Sequence, residues 1–213
     1  MSKEQAFKRS LLLFVVPLII SLAAYPSMPE MMPSHFSLQG EVNDYASKLE
    51  VLFGLPAILL FGHIVSGFML LKDPRAAMQS DKLYKLVFLI LPILTVVCQV
   101  MSIVTATGSP INSTRLVMGC VALLMIAIGN YLTKSKRNYT IGLKTPWAMA
   151  DDDNWDKTHR LGSKVFIAAG LVGLLGAVFN QTVLYIVFLR GLIGGNIIVF
   201  IYSYWLYKTN HKV

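Results

Sequence analysis

Six apolar runs, at residues 10–25, 50–71, 84–106, 114–132, 163–180 and 183–207, leave this chain few ways to fold. A helix needs about 20 consecutive apolar residues to cross ~30 Å of hydrocarbon. Most of the runs reach that length, and bilayer thinning or end anchors absorb the shortfall of the two shorter ones. Lipid offers backbone N–H and C=O groups no partner, so a spanning segment is a helix or part of a closed barrel. The runs lack the polar/apolar alternation of barrel strands. They predict an all-α integral membrane protein, a bundle of about six transmembrane helices. The scarcity of charge agrees: 14% of the 213 residues are charged, against about 25% in an ordinary soluble domain. The first run, with Lys3, Lys8 and Arg9 before it and Ser-Leu-Ala-Ala at its end, also has the outline of a secretory signal. We read it as an uncleaved helix, because it is slightly long for a signal's apolar region.

The net charge of +8 would raise nucleic acid as a partner in a soluble protein. Here the cations sort by loop. Lys3, Lys8 and Arg9 precede the first run; Lys72, Arg75, Lys82 and Lys85 flank the second connection; Lys134, Lys136, Arg137, Lys144, Lys157, Arg160 and Lys164 crowd the fourth; Lys208 and Lys212 follow the last run. The first and third connections carry little more than Lys48 and Arg115, and the fifth has none. The positive-inside rule then places both termini of a multi-pass membrane protein in the cytoplasm, with the bilayer and not nucleic acid as its surroundings. The chain divides near residue 110. An N-terminal three-helix module, 1–110, bears a Pro-rich extracellular loop at 26–49. A second three-helix module, 111–213, bears a cytoplasmic loop at 133–162.

Chemistry-bearing groups within the runs are few. His63 and Arg190 are the ionisable residues that stand inside spans, which makes them candidates for function. For His63 the plainer reading is a hydrogen-bonded packing role between helices. For Arg190 it is a side chain that snorkels to lipid phosphate or to Glu41 or Asp44; the sharper one is contact with an anionic group of an incoming peptide. Asn130, Asn180 and Asn196 read as helix glue or helix ends, and the glycines of "GLVGLLG" and "GLIGG" permit close approach of the last two helices. Cys98 and Cys120 lie in apolar runs and read as small hydrophobes. There is no GxSxG elbow, HExxH pair, Cys/His metal spacing or glycine-rich phosphate loop. No catalytic set, metal site or cofactor is expected, and the chain reads as a non-enzyme.

Two loops stand out. In the outer one, Pro26, Pro29 and Pro33 exclude a helix, "LQGEVND" reads as a turn, and His35 and Phe36 form a short extended piece. It is either an ordered lid or a solvated connector. The inner loop contains "IGLKTPWAMADDDNWDKTHRLGSK". Pro146 disfavours helix at Thr145; then Asp151, Asp152 or Asp153 can cap a helix that runs on into the fifth span. On that helix Trp155, Thr158, His159 and Gly162 share one face. The plain reading is an amphipathic ramp on the membrane surface, with Trp147 and Trp155 at head-group depth and Lys157, Arg160 and Lys164 on lipid phosphates. Anchoring alone does not require Thr-Pro-Trp followed at fixed distance by Trp-x-x-Thr-His-Arg.

That stretch resembles the signature of the SdpI family of bacterial membrane proteins, through Gly142, Thr145, Pro146, Trp147, Trp155, Thr158, His159, Arg160, Gly162 and Gly170. Lys144 stands where the family usually has Arg, which weakens any role there that needs a bidentate contact. The outer loop resembles the N-terminal module often found with that signature, through Pro29, Pro33, His35, Phe36, Gly40, Asp44 and Lys48. The resemblance implies immunity of the producing cell to a secreted antimicrobial peptide toxin. It also implies a receptor role, in which a cytoplasmic transcriptional repressor is held at the membrane, with the inner-loop residues locking the bundle or binding that partner. Two other classes stay open: a small-molecule or lipid transporter, for which no buried carboxylate is present, and a membrane-embedded lipid-modifying protein acting through His159, for which no nucleophile is present.

Overall fold

The computed structural model describes residues 1–39, 41–109 and 112–210. Gly40, His211 and Lys212 lie outside the described residues. Among those described, six helical segments are long and apolar enough to cross a membrane: Lys3–Ser27, Glu50–Lys72, Asp81–Ala106, Ser113–Leu132, Asp152–Phe179 and Thr182–Asn210. The chain is a multi-pass α-helical membrane protein, as its apolar runs predict.

By compactness the chain falls into two units, Met1–Leu71 with Tyr84–Val117, and Lys72–Leu83 with Met118–Val213. In the first unit the opening span is two helices, α1 (Lys3–Leu12) and α2 (Val15–Ala24). The break falls at Leu13 because Pro17, four residues on, has no N–H for the Leu13 carbonyl and its ring crowds it. The N–H of Val16 takes that carbonyl instead, at 3.1 Å. The outer loop is a two-stranded antiparallel hairpin, β1 (Met31–Phe36) with β2 (Val42–Ser47). The pairing shifts register between Pro33 and His35 and again at Phe36. Proline is tolerated here because both strands are edge strands. Met28 and Met32 bury the base of the hairpin against Val51 and Leu52. Expected as a helix-free segment, the loop has more regular structure than its sequence announces.

A π-helical turn, Glu50–Gly54, leads into α3 (Leu55–Lys72). Pro56 explains it. The proline cannot donate to the Leu52 carbonyl four residues back, so the turn widens and that oxygen is left over. Ser21 Oγ donates to it at 2.5 Å and Gln99 Nε2 approaches it at 3.4 Å; Gln99 Nε2 also donates to Ser21 Oγ at 3.0 Å. Ser21 and Gln99 are fully buried. Three spans, α2, α3 and α4 (Asp81–Ala106), are thereby joined at one carbonyl. Lower in the same unit His63 is buried among Phe7, Phe14 and Phe88, with ring centroids 5.4, 5.2 and 6.2 Å away, and its Nε2 lies 2.8 Å from Ser10 Oγ. Phe7 sits so close over Gly67 that any Cβ there would strike its ring.

The second unit contains most of α5 (Ser113–Leu132), the short α6 (Pro146–Ala150), α7 (Asp152–Phe179) and α8 (Thr182–Asn210). Asn180 ends α7 in the left-handed conformation, φ 53°, and α8 returns at once. Gly173 faces Phe188, Gly176 faces Tyr185, and Gly195 faces Val165, so the glycines of both spans do bring α7 and α8 together. Gly170 meets Ala122 and Ile126 of α5 in the same way. Van der Waals contact at such sites replaces the hydrophobic drive that lipid cannot supply.

Loops meet within each unit as six crossings require. In the first, Thr114 Oγ1 donates to the Ser37 carbonyl of the hairpin at 2.9 Å. In the second, the connection before α4 meets the loop after α5, through Gln79 and Lys136. The Pro56 account makes a test of non-additivity. Ser21→Ala should destabilise the protein by about 1–3 kcal/mol, the cost of a buried acceptor losing its donor. Pro56→Ala restores an N–H to Leu52 and should recover much of that loss in the double variant. Thermal unfolding in detergent measures it; simple additivity would reject the account.

Candidate functional site

The inner loop is built from residue 133 onward as a set of backbone groups that side chains satisfy. Thr145 caps α6, its Oγ1 accepting the Ala148 N–H at 3.1 Å, with Pro146 in the first helical position, where a missing N–H costs nothing. Asp151 caps α7 and accepts from the N–H groups of Asp153 and Asn154 at 3.2 and 3.1 Å. Asp152 and Asp153 remain in the exposed first turn, where negative charge suits the helix dipole.

The face predicted for Trp155, Thr158, His159 and Gly162 exists, but it does not lie on a membrane surface. Trp155, Thr158 and His159 are buried inside the protein. The loop 135–143 closes over them. Trp155 Nε1 donates to the Ser135 carbonyl at 2.9 Å. The His159 ring stacks on Trp155 with centroids 3.9 Å apart. Its Nδ1 lies 2.8 Å from the Trp155 carbonyl, which can only accept, so Nδ1 carries the proton. Nε2 is then the acceptor, and it takes the Leu143 N–H at 3.0 Å. Both nitrogens are committed, and the Nε2 bond needs the neutral ring.

Gly142 has φ +117°, and a Cβ there would run into His159 Nε2 and lie 3.2 Å from the Trp155 ring. Glycine is required twice over, by conformation and by space. A Cβ on Gly162 would strike Leu143, so the residue after Gly142 packs into the last place on the same face.

Thr158 leads to a second cluster. Thr158 Oγ1 and Ser203 Oγ both donate to Asn154 Oδ1, at 2.9 and 2.8 Å. Asn154 Nδ2 donates to the Ser203 carbonyl at 2.9 Å, and Thr145 Oγ1 lies 2.5 Å from Ser203 Oγ. Since the Ser203 proton goes to Asn154, Thr145 donates to Ser203. The chain of bonds is closed, and it joins α6, α7 and α8. Trp147 is half-buried against Phe200 and Tyr204 of α8, with centroids 5.0 and 4.9 Å away.

The residues flanking the motif carry a third cluster that the charge pattern alone did not reveal. Asn138 Oδ1 accepts the N–H groups of Thr140 and Ile141, and its Nδ2 donates to the carbonyls of Lys136 and Ile141. Arg137 donates to the Met149 carbonyl at 2.9 Å, and its Nε pairs with Asp152 at 2.7 Å, close in distance though off the N–H direction. Gln79 clasps Lys136, amide to amide, at 2.7 and 3.0 Å. Asp73 accepts from the N–H of Arg75 (2.8 Å), the N–H of Tyr139 (2.9 Å) and the Thr140 hydroxyl (2.6 Å). The signal available was Asp73 itself, the one carboxylate before residue 81 in a connection otherwise basic.

The other candidate residues stand apart from this site. Arg160 is exposed on α7 and makes no ion pair among the described residues; Arg190 is exposed on α8. His35 Nδ1 lies 2.6 Å from Asn43 Oδ1 on the hairpin. Lys48 pairs with Glu30 at 2.8 Å and covers the Tyr25 ring at 4.6 Å. Pro33 and Phe36 pair within the hairpin, Pro29 precedes it exposed, and Asp44 is exposed. No group of three or more His, Cys, Asp or Glu side chains among the described residues is arranged to hold a metal.

Two results are expected. Burial alone would raise the Asp73 carboxyl, but the hydrogen bonds from Thr140, Arg75 and Tyr139 outweigh it and hold the group below its ordinary 3.8. A depressed carboxyl contributes stability that is complete above the ordinary value and is lost as pH falls through the folded one. Asp73→Asn should therefore lower the melting temperature at pH 7, and the gap to the parent should close below pH 3.8. Gly142→Ala should destabilise by more than 1 kcal/mol on about the scale of a strained or overpacked site, measured by the same melts.

Comparison with known proteins accords with these clusters. Residues 134–203, which hold all of the Trp155 and Ser203 network, match the profile of the SdpI/YfhL protein family. Residues 12–60, which hold the hairpin, match a domain of unknown function, DUF1648. Immunity protein SdpI of Bacillus subtilis (strain 168) is 23% identical over 202 residues, covering 93% of this chain and 94% of the relative. No solved structure matches the chain. The chain thus joins a segment similar to the SdpI/YfhL protein family, residues 134–203, to a preceding segment that matches DUF1648.

Proposed function

We propose that this protein confers immunity on the producing cell against a secreted antimicrobial peptide toxin. The observation that carries the reading is the extent of the similarity to an immunity protein, which runs through both modules and 93% of the chain. In this reading the basic loops face the cytoplasm, in keeping with the positive-inside rule, and the hairpin faces the toxin. The Trp155–His159 clasp and the Asn154–Ser203 cluster hold the inner loop to its helices. The surface they support, with Arg160 exposed beside the clasp, is where a cytoplasmic repressor would dock.

A lipid-modifying role through His159 is less well supported. A general base must reach a substrate proton, and here Nε2 is already bonded to Leu143 and Nδ1 to the Trp155 carbonyl.

The test is protection. The protein is expressed in a toxin-sensitive bacterium, and survival and membrane potential are followed across a dose series of candidate toxin peptide. Protection that requires the intact protein is expected; none at verified membrane expression overturns the reading. Arg160→Ala should keep protection and lose any toxin-dependent transcriptional response. Trp155→Ala should lower both together, because it removes a buried side chain and leaves the Ser135 carbonyl unpaired, at a cost of about 3–5 kcal/mol.

A further inference from the structure

Under the hairpin lies a recess of about 370 Å³, within the size range of small-ligand pockets. Ser34 of β1 and Ala46 of β2 line it from the hairpin; Glu50 and Gly54 of the π-helical turn, Ile58 of α3 and Ser102 of α4 are among the residues that line it from the spans. Its walls are largely apolar, and three polar groups open into it.

Ser102 is the first of these. The residue is 6% exposed, yet its hydroxyl makes no hydrogen bond among the described residues. Ser10, Ser21, Thr95 and Ser203, other buried hydroxyls of the spans, each bond within the protein. Lining the recess, the Ser102 hydroxyl is open to a ligand atom there. Glu50 is the second. Its Oε2 accepts the N–H and the hydroxyl of Ser47 at 2.9 and 2.8 Å, while Oε1 has no donor among the described residues. Ser34, the third, is exposed at the rim. The π-helical turn is itself a feature often found at functional sites.

The charge around the recess selects the ligand. Residues 25–50 hold four carboxylates, Glu30, Glu41, Asp44 and Glu50, against Lys48, a net of −3 in a chain of +8. Glu30 is paired with Lys48, whereas Glu41, Asp44 and Glu50 make no ion pair among the described residues. A field of this sign concentrates cations.

We propose that the recess binds a cationic amphiphilic side chain of a peptide, an aliphatic stem ending in an ammonium or guanidinium group. The stem lies along Ile58 and Ala46, the charge meets Glu50, and Ser102 supplies the second polar contact. The proposal rests on the immunity reading for the peptide as its source, and it gives that peptide a contact point.

Labelling of a cysteine at the rim tests it in the full-length protein in nanodiscs. Ser34→Cys is introduced into a Cys98→Ala, Cys120→Ala background, and the rate of maleimide modification is measured with hexylammonium, hexanol or hexanoate present. Hexylammonium should slow labelling several-fold; hexanol and hexanoate should not. Gln39→Cys, exposed on the hairpin away from the recess, should label at the same rate throughout. Glu50→Gln should weaken the protection by roughly tenfold, the loss expected for one charge-assisted hydrogen bond, and Ser102→Leu should abolish it by filling the space. Equal protection by hexanol, or protection unchanged in both variants, would overturn the proposal. A toxin-protected cell whose Ser34→Cys rim is indifferent to hexylammonium loses the recess and keeps the immunity reading; a cation-selective recess in an unprotected cell does the reverse.

Discussion

A carbonyl that has lost its helical donor inside a membrane must find another within the protein, and much of this structure follows from where that happens. Pro17 and Pro56 each take away a donor. At Leu13 the repair is local, a tighter turn that splits the first span into α1 and α2. At Leu52 it is not local: the repair comes from Ser21 on one span and Gln99 on another. Water would satisfy the same oxygen in a soluble protein. Lipid cannot, so a defect in one helix becomes a bond among three.

The inner loop obeys the same constraint at a larger scale. Residues 133–145 have almost no regular structure, so their backbone groups lack the partners a helix provides. Trp155 takes Ser135, His159 takes Leu143, Asn138 takes Thr140 and Ile141, and Gln79 takes Lys136 at both its N–H and carbonyl. The residue types follow from that work. Indole offers one donor at the end of a large buried plate. A neutral imidazole joins a donor and an acceptor across its ring. The motif that looks like an active site is in large part a set of backbone partners.

The helices were legible because lipid imposes a length and a hydropathy that a single chain displays, and the N-terminal break of α7 was legible because Pro146 and Asp151 act over a few residues. The Trp155–His159 face was legible from spacing. Its partner was not: two tryptophans and several lysines near a span look the same whether they face lipid head groups or a folded loop, and only the loop's path decides. Asp73, Gln79 and Ser203 escaped notice because their partners lie 66, 57 and 49 residues away. The hairpin escaped because its strands include prolines and rest on Met28 and Met32, a packing that no period-2 pattern announces.

Burial separates the motif into two kinds of residue. Gly142, Thr145, Trp155, Thr158, His159 and Gly162 have their side chains or their spaces filled by this chain, so changes there act first on the fold of the loop. Arg160 lies on the same helix one residue past His159, and it points out of that packing with its charge uncompensated among the described residues. A cation so placed contributes little to stability. The rigid clasp beneath it fixes where that charge is presented on the surface.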